Sequence, residues 1–307
     1  IWAFRSLGDE LLASGKGGDG YCWLQEHMCE GYRTAWFQMF SFENKDGDLP
    51  TADAAVVTSP GETRLFNYYV EGLKWHVKNL DIDGLYLDDV SYDRRTLKRM
   101  RRVMDSVKSG CLIDLHSNTG FSMGPANQYT EFFPYIDKVW FGESFRYDEM
   151  TPENYLVESS GIPFGLTGDM LQGGGNKWLG MQYGMTVRYP WTTDGVTCDP
   201  RLVWKIWDEF GIKDSKMIGF WEDEPLVTAS DPDVKVTSYL KEDGSLLLSL
   251  GNYSTAAKTV RLIFNTPDFK GRRLVAPEVE AFQPAQEWAL GDAVTVDPKR
   301  GWLIYVK

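Results

Sequence analysis

Short apolar runs separated by longer amphipathic stretches dominate the first two thirds of the chain. Seven such runs precede residue 226, at 1–5, 34–40, 84–88, 111–116, 138–143, 162–167 and 217–221. Between several of them, apolar residues recur every three or four positions, which predicts helices at 66–79, 94–108 and 199–210. The last of these begins with Asp199 followed by Pro200, a favourable helix start. Nearly continuous apolar strands alternating with helices indicate a parallel sheet.

Seven strands are one short of a (β/α)8 TIM-type barrel, which is the fold that we predict for this part of the chain. The abrupt apolar start at Ile1 suggests that the first strand is missing, so that an upstream segment or a second chain would complete the barrel. An open doubly wound sheet is the alternative. It fits less well, because the glycine-rich stretch at 15–20 lacks the ending of a phosphate-binding loop.

After about residue 226 the pattern changes to strands and turns without a helix signal. The predicted strands lie at 234–241, 245–252, 259–264, 278–282, 293–296 and 302–306. Glu242, Asp243 and Gly244 between the first two indicate a hairpin turn. The sequence therefore predicts an α/β chain with a barrel domain over 1–229 and a small antiparallel β-sandwich over 230–307.

Charge and composition exclude several classes of partner. A formal net charge of −12 argues against nucleic acid, which needs a basic face. No apolar run reaches the roughly 18 residues of a membrane helix, so no membrane partner is expected. The four cysteines lack metal-ligand spacing, and neither a metal nor another cofactor is expected. No leader is visible, although a secreted or periplasmic location is favoured if the substrate is a polysaccharide.

Carboxylates follow five consecutive apolar runs, and in a barrel these positions meet at one rim. They are Asp88 and Asp89, Asp114, Glu143, Asp169, and Glu222 and Asp223. So many carboxylates would repel one another unless the site uses them. Glycoside hydrolysis requires two carboxylates that flank the scissile bond. We predict Asp88 as the nucleophile and Glu143 as the general acid/base, with Asp89 as a rival nucleophile.

Other polar and aromatic residues near these strand ends are candidates for substrate binding. They are Trp36, Asp89, Asp114, His116, Asn118, Trp140, Asp169, Arg188 and Trp221. Asp114 and His116 alternate along one strand and therefore point the same way. Structural roles compete with the catalytic and binding assignments: capping of the following turn for Asp88 or Asp89, an ion pair with Arg146 for Glu143, and core packing for the tryptophans.

The run from Asp83 to Asp88 resembles the nucleophile strand of retaining α-glycosidases, namely the α-galactosidase clan and the endo-α-N-acetylgalactosaminidase relatives. In those families an Asp ends the fourth strand and an acid/base ends the sixth, and Gly142-Glu143-Ser144 is similar to the latter strand of the second group. The segments at 23–27 and 281–285 look like those of bacterial "glycoside hydrolase domain" proteins. The resemblance implies an α-linked galactose-like or N-acetylgalactosamine-like sugar.

The sequence thus favours a retaining glycoside hydrolase that acts on an oligosaccharide, polysaccharide or glycoconjugate. An inverting glycosidase and a non-catalytic carbohydrate-binding or scaffold subunit remain alternatives. Serine-type hydrolysis is disfavoured, because no G-x-S-x-G motif occurs and only three histidines are present.

Overall fold

The computed structural model describes residues 34–42, 49–56, 64–87, 94–117, 129–141, 145–171, 175–187 and 199–307. The described residues up to Val139 form one compact unit, and those from Trp140 onward form a second. For β1, β2 and a few strand or helix ends, the backbone alone is described.

The first unit contains a parallel strand pair with helices. Its elements are β1 (Thr34–Phe42), β2 (Leu49–Val56), α1 (Arg64–Leu80), β3 (Gly84–Leu87), α2 (Arg94–Asp105), β4 (Leu112–Ser117) and the start of β5 (Lys138–Phe141). β3 pairs in parallel with β4, as predicted, and β5 follows β4 in the sheet order. The two predicted helices are confirmed as α1 and α2. β1, expected as a parallel barrel strand, is antiparallel to β2 instead, with Phe42 opposite Leu49.

The two faces of β3 and β4 differ in character because side chains alternate along a strand. One face is apolar and buried: Leu87 is 6% exposed, and Ile113 and Leu115 are fully buried. Helix α2 likewise buries Leu97, Met100 and Met104. Gly84 permits the close approach of the strands, because a Cβ there would lie 2.3 Å from the carbonyl oxygen of Leu112.

A charged network joins the amino ends of these strands. The Arg101 guanidinium pairs with Asp137 and also donates to the carbonyl oxygens of Cys111 at 2.7 Å and Tyr135 at 3.1 Å. Asp137 in turn accepts the backbone N–H of Ile113 at 2.8 Å. This single pair therefore ties α2 to the starts of β4 and β5.

The second unit begins with short elements and continues into antiparallel sheets. Its strands and α-helices are the end of β5, β6 (Thr167–Leu171), α3 (Lys177–Gly180), β7 (Thr186–Val187), α4 (Pro200–Phe210), β8 (Ser215–Ile218), β9 (Val227–Ala229), β10 (Val234–Lys241), β11 (Leu246–Asn252), β12 (Lys258–Phe264), β13 (Arg273–Ala276), β14 (Gln286–Ala289), β15 (Ala293–Val296) and β16 (Gly301–Val306). Helical turns other than α-helix occur at Tyr147–Glu149, Asn154–Ser159, Ile162–Phe164, Met181–Tyr183, Ile212–Asp214 and Pro267–Phe269, and in the first unit at Thr130–Tyr135.

β6 pairs in parallel with β7, and Met170 lies opposite Thr186. The strand expected at 162–167 is wrong over most of its length. Ile162–Phe164 is a 3-10 turn between Gly161 and Gly165, which both have positive φ, and the strand begins only at Thr167. The two glycines turn the chain before it can extend.

The predicted C-terminal β-sandwich is confirmed. One sheet has the order β14-β13-β16-β11-β10-β8 and the other β15-β12-β9, and all neighbouring strands are antiparallel. β11 is buried on both faces because it is central. Leu246, Leu248 and Leu250 pack into the core with residues of the smaller sheet, whereas Leu247 packs with residues of α4.

Helix α4 and strand β8 both pack with the C-terminal sheet. Asp199 caps α4, since its side chain accepts the N–H of Arg201 at 3.0 Å, as the sequence indicated. β8, however, is antiparallel to β10, with Ile218 opposite Ser238, and its assignment as the eighth barrel strand is wrong. Both elements precede the division at 229/230, which stays a prediction.

Two further strand assignments in the tail differ from expectation. The strand predicted at 278–282 is wrong, since only an isolated bridge joins Val279 to Gln283 there. β13 and β14, which were not predicted, flank this segment and pair with each other.

Candidate active site

One face of the β3–β4 pair carries polar and aromatic side chains towards the carboxyl ends of the strands. Tyr86 lies opposite Asp114 in the register, and His116 follows Asp114 by two positions. The rings of Tyr86 and His116 are stacked, with centroids 6.2 Å apart and planes inclined by 23°. Asp114 is partly buried, His116 is 5% exposed and Tyr86 is 49% exposed. The structure thus confirms that Asp114 and His116 share a face.

This arrangement suits the recognition of a polyhydroxylated ligand. A carboxylate accepts hydrogen bonds from hydroxyl groups, an imidazole can donate or accept, and an aromatic face packs against C–H groups. The exposed ring of Tyr86 makes the face accessible, while the buried His116 supports it from β4.

Tyr86 is a residue that the sequence reasoning missed. It lies within an apolar Leu-Tyr-Leu run, which was interpreted only as strand core. Alternation along the strand was the available signal, because it puts Tyr86 on the face opposite to Leu85 and Leu87. A large aromatic residue that is half exposed on a strand buried on its other side is a candidate ligand contact.

Five of the predicted site residues lie outside the described residues. They are Asp88, Asp89, Asn118, Glu143 and Arg188. In the sequence, Asp88 follows the last residue of β3, Asn118 follows the last residue of β4, and Glu143 comes two positions after β5. Their roles stay predictions.

Three other candidates fall on strands. Trp36 lies in β1 and Asp169 in β6, where the backbone alone is described. Trp140 lies in β5 and is 8% exposed. Their roles in substrate binding also stay predictions.

Trp221 lies in a turn after β8, within an aromatic cluster of the second unit. Its ring stacks on Tyr183 at 5.4 Å, and Tyr183 stacks on Tyr155 at the same distance. The hydroxyl groups of Tyr183 and Tyr253 are 2.9 Å apart. Burial raises the pKa of Tyr155, Tyr183 and Tyr253 well above the usual value, so all three stay neutral. Trp221 is partly buried against this cluster, and its role as a sugar platform stays a prediction.

The described ranges hold no group of three or more His, Cys, Asp or Glu residues placed to bind a metal ion. Within the same ranges, no helix has both the length and the apolar composition needed to cross a membrane. Cys111 is a buried free thiol.

Comparisons with known proteins extend this picture. A search of solved structures matches the β-L-arabinopyranosidase of glycoside hydrolase family 27 from Geobacillus stearothermophilus, with 13% identity, a TM-score of 0.51, and coverage of 96% of this chain and 69% of that one. A variant of that enzyme with bound arabinose gives 12% identity, a TM-score of 0.52 and the same coverage. An α-amylase from Geobacillus thermoleovorans gives 13% identity and a TM-score of 0.45, with 84% and 66% covered. A comparison with curated sequences found no significant match.

The first two likenesses support the fold: a TIM-type barrel followed by a β domain. Two family models cover nearly the whole chain. Residues 1–190 match the TIM-barrel domain of glycoside hydrolase 123, and residues 199–307 match the C-terminal domain of the same family. The chain therefore belongs to glycoside hydrolase family 123 and is a glycoside hydrolase that acts on carbohydrate.

Proposed function

We propose that this glycoside hydrolase cleaves its O-glycosidic bond with retention of anomeric configuration, with Asp88 as nucleophile and Glu143 as general acid/base. The observation that carries the proposal is the face formed by Tyr86, Asp114 and His116 near the carboxyl ends of β3 and β4. Asp88 is the next residue in the sequence after β3. In (β/α)8 enzymes, catalytic residues stand at the carboxyl ends of strands.

Retention takes two displacements. In the first, the Asp88 carboxylate attacks the anomeric carbon while Glu143 donates its proton to the departing glycosidic oxygen. In the second, Glu143 takes a proton from water, the water oxygen attacks the anomeric carbon, and the bond to Asp88 breaks. The two carboxyl groups must stand ~5 to 5.5 Å apart for this route, whereas an inverting enzyme needs ~6.5 to 9.5 Å.

The described residues would serve binding in this scheme. Asp114 accepts hydrogen bonds from sugar hydroxyl groups, and His116 donates or accepts a further one. Tyr86 packs its exposed ring against the C–H groups of the same sugar unit. Interactions of this kind accelerate the reaction only so far as they strengthen in the transition state.

The test is to measure hydrolysis of aryl glycosides by the intact chain, by Asp88→Asn and by Glu143→Gln, with azide added to each variant. We expect both variants to lose most activity and azide to restore Asp88→Asn, giving a glycosyl azide of inverted configuration. Asp89→Asn is the matched control, and it should retain more activity than Asp88→Asn. Rescue of Asp89→Asn instead would move the nucleophile by one residue.

Other outcomes contradict the proposal. A first-formed sugar of inverted configuration, observed by NMR for the intact chain, would indicate direct attack by water. An intact chain that binds glycans but hydrolyses none would indicate a binding subunit.

For the sugar, we propose a galactose-configured unit or its 2-acetamido derivative in α linkage, as the resemblance of the Asp83–Asp88 run implies. The panel should therefore hold both anomers, each with a 2-hydroxyl and a 2-acetamido group. Cleavage of β-anomers alone would overturn the α linkage and leave retention open. Hydrolysis that requires the 2-acetamido group, without azide rescue of Asp88→Asn, would show that the acetamido oxygen of the substrate is the nucleophile.

A further inference from the structure

A groove of about 590 Å³ lies at one end of the larger C-terminal sheet, beside α4. Phe210 at the end of α4 and Tyr305 on β16 line it, together with Lys241 at the end of β10, Arg272 just before β13 and Lys307 just after β16. This volume falls within the range of ligand pockets, roughly 300 to 1,000 Å³. We propose that this groove binds an acidic oligosaccharide, one that carries carboxylate or sulfate groups.

The charge of the groove opposes that of the chain. The protein has a net charge of −12, yet three of the residues that line this groove are cations. Lys241 has one carboxylate near it, that of Asp243 at 3.6 Å. In the described part of the chain, no side-chain carboxylate lies within 4.0 Å of a side-chain nitrogen of Arg272 or Lys307. Because few carboxylates of the protein lie near these cations, the cations are suited to bind an anionic ligand.

Aromatic rings lie beside the ammonium groups of the two lysines. Phe210 and Tyr305 lie 6.1 Å apart between ring centroids. The Nζ atom of Lys241 is 5.8 Å from the ring centroid of Phe210, and that of Lys307 is 4.9 Å from Tyr305. The Tyr305 hydroxyl donates to the carbonyl oxygen of Ile206 at 3.3 Å, which holds its ring. Each ammonium group is therefore attracted to a ring that lines the groove.

The opposing charge in the groove is modest. Glu209 has the one side-chain carboxylate among the described lining residues, and its Oε1 atom lies 3.7 Å from the Nζ atom of Lys205 on the exposed side of α4. The Arg272 guanidinium donates to the carbonyl oxygen of Gly244 at 2.8 Å, which fixes the cation without removing its charge. The net character of the groove stays positive.

The pairing of cations with aromatic rings favours a saccharide over other anions. Carboxylate or sulfate groups would meet the lysines and the arginine, and a C–H face of the sugar would pack on the partly exposed ring of Tyr305. Membership of a glycoside hydrolase family makes carbohydrate the polymer that this protein meets. The inference does not depend on the roles proposed for Asp88 and Glu143.

The experiment is calorimetric titration of the full chain with an α-1,4-linked galacturonate tetramer, with its neutral methyl ester and with a tetraglutamate peptide. Lys241→Gln combined with Lys307→Gln should weaken binding of the galacturonate at least tenfold. The control is Arg261→Gln with Lys270→Gln, which removes the same charge from exposed positions that do not line the groove. It should change the affinity less than twofold, and both double variants should melt as the parent does.

Binding should also weaken as salt rises, because exposed charges are screened. Asp88→Asn should bind the galacturonate as the parent chain does, which separates the groove from the proposed catalytic residues. Equal affinity for the methyl ester, equal affinity for tetraglutamate, absence of binding, or an unchanged affinity in the Lys241/Lys307 variant would each overturn the proposal.

Discussion

The two ends of β4 differ in what their side chains contact. At its amino end, Arg101 and Asp137 form an ion pair and hydrogen bond to backbone groups, and these contacts join α2 to the start of β4. Towards its carboxyl end, Asp114 and His116 lie on the same face as the half-exposed ring of Tyr86. In (β/α)8 barrels, residues at the amino ends of the strands usually stabilise the fold, whereas residues at the carboxyl ends form the active site. Substitutions at the two ends should therefore separate stability from activity.

The largest effect is expected at the carboxyl end. Asp114→Asn keeps the shape of the side chain but loses the charge, so the hydrogen bond that we propose from a sugar hydroxyl to this carboxylate would be weakened. We expect kcat/KM to fall roughly 100-fold, since a hydrogen bond to a charged group contributes ~1.5–3 kcal/mol. The melting temperature should stay within about 2 °C of the parent.

Steady-state kinetics on the best substrate of the panel and thermal melting check this prediction together. Asp105→Asn, at an exposed position on α2, is the matched control and should change neither quantity. A lower melting temperature with unchanged kcat/KM for Asp114→Asn would assign Asp114 to structure and break the comparison.

Sequence alternation could predict this face only in part. Asp114 and His116 were found because their polar side chains stand out in an apolar run. Tyr86 was missed because a tyrosine between two leucines does not reveal whether its ring is buried. The register between β3 and β4, which pairs Tyr86 with Asp114, is a tertiary property that no local pattern contains.

At the amino end, Arg101→Met should lower the free energy of unfolding by about 2 kcal/mol. The Asp137 carboxylate and two carbonyl oxygens would lose their donor, and partly buried groups that lose a charged partner cost ~1.5–3 kcal/mol. Urea unfolding measures the loss, and kcat/KM per folded molecule should equal that of the parent. Arg102→Met, on the exposed side of α2, serves as the control. Loss of activity in folded Arg101→Met would show that the two ends are coupled.

Tyr86→Ala should raise KM up to tenfold with a smaller change in kcat, because aromatic packing contributes ~0.5–1.5 kcal/mol. Tyr86→Phe should keep most of the affinity if the ring face is what binds. Tyr68→Ala, 71% exposed on α1, is the control for removing an exposed tyrosine. If Tyr86→Phe were as impaired as Tyr86→Ala, the hydroxyl group and not the ring would be the contact.

In the C-terminal region, sequence patterns predicted several strands accurately but did not predict all strand partners or the edge strand β14. β10 and β15 were predicted to the residue, since alternating apolar positions between turns mark an antiparallel strand. β8 was also recognised as a strand, but its pattern could not reveal that its partner is β10 and not a barrel strand. β14 escaped because three of its four residues are exposed at the sheet edge, so that it lacks a buried apolar side.

The smallest effect is expected at Lys108, near the amino end of β3. Its Nζ atom lies 2.8 Å from a carboxylate oxygen of Asp81 and 2.6 Å from one of Asp83. The hydrogen bond to Asp81, followed by that to Asp83, raises the pKa of Lys108 above its usual value. A lysine whose pKa is raised by folding stabilises the protein fully below the pKa of the unfolded chain, ~10.4, and this stabilisation is lost as the pH rises through the folded pKa.

We therefore expect Lys108→Met to melt slightly below the parent between pH 6 and pH 9, with a difference that shrinks above about pH 11 and in high salt. Thermal melting across this range measures it, and Lys98→Met, an exposed position on α2, is the control. The values of kcat and KM should not change, because Lys108 lies at the amino end of β3, opposite to the proposed active site. A difference that stays constant across this pH range and in high salt would mean that Lys108 acts through packing and not through its charge.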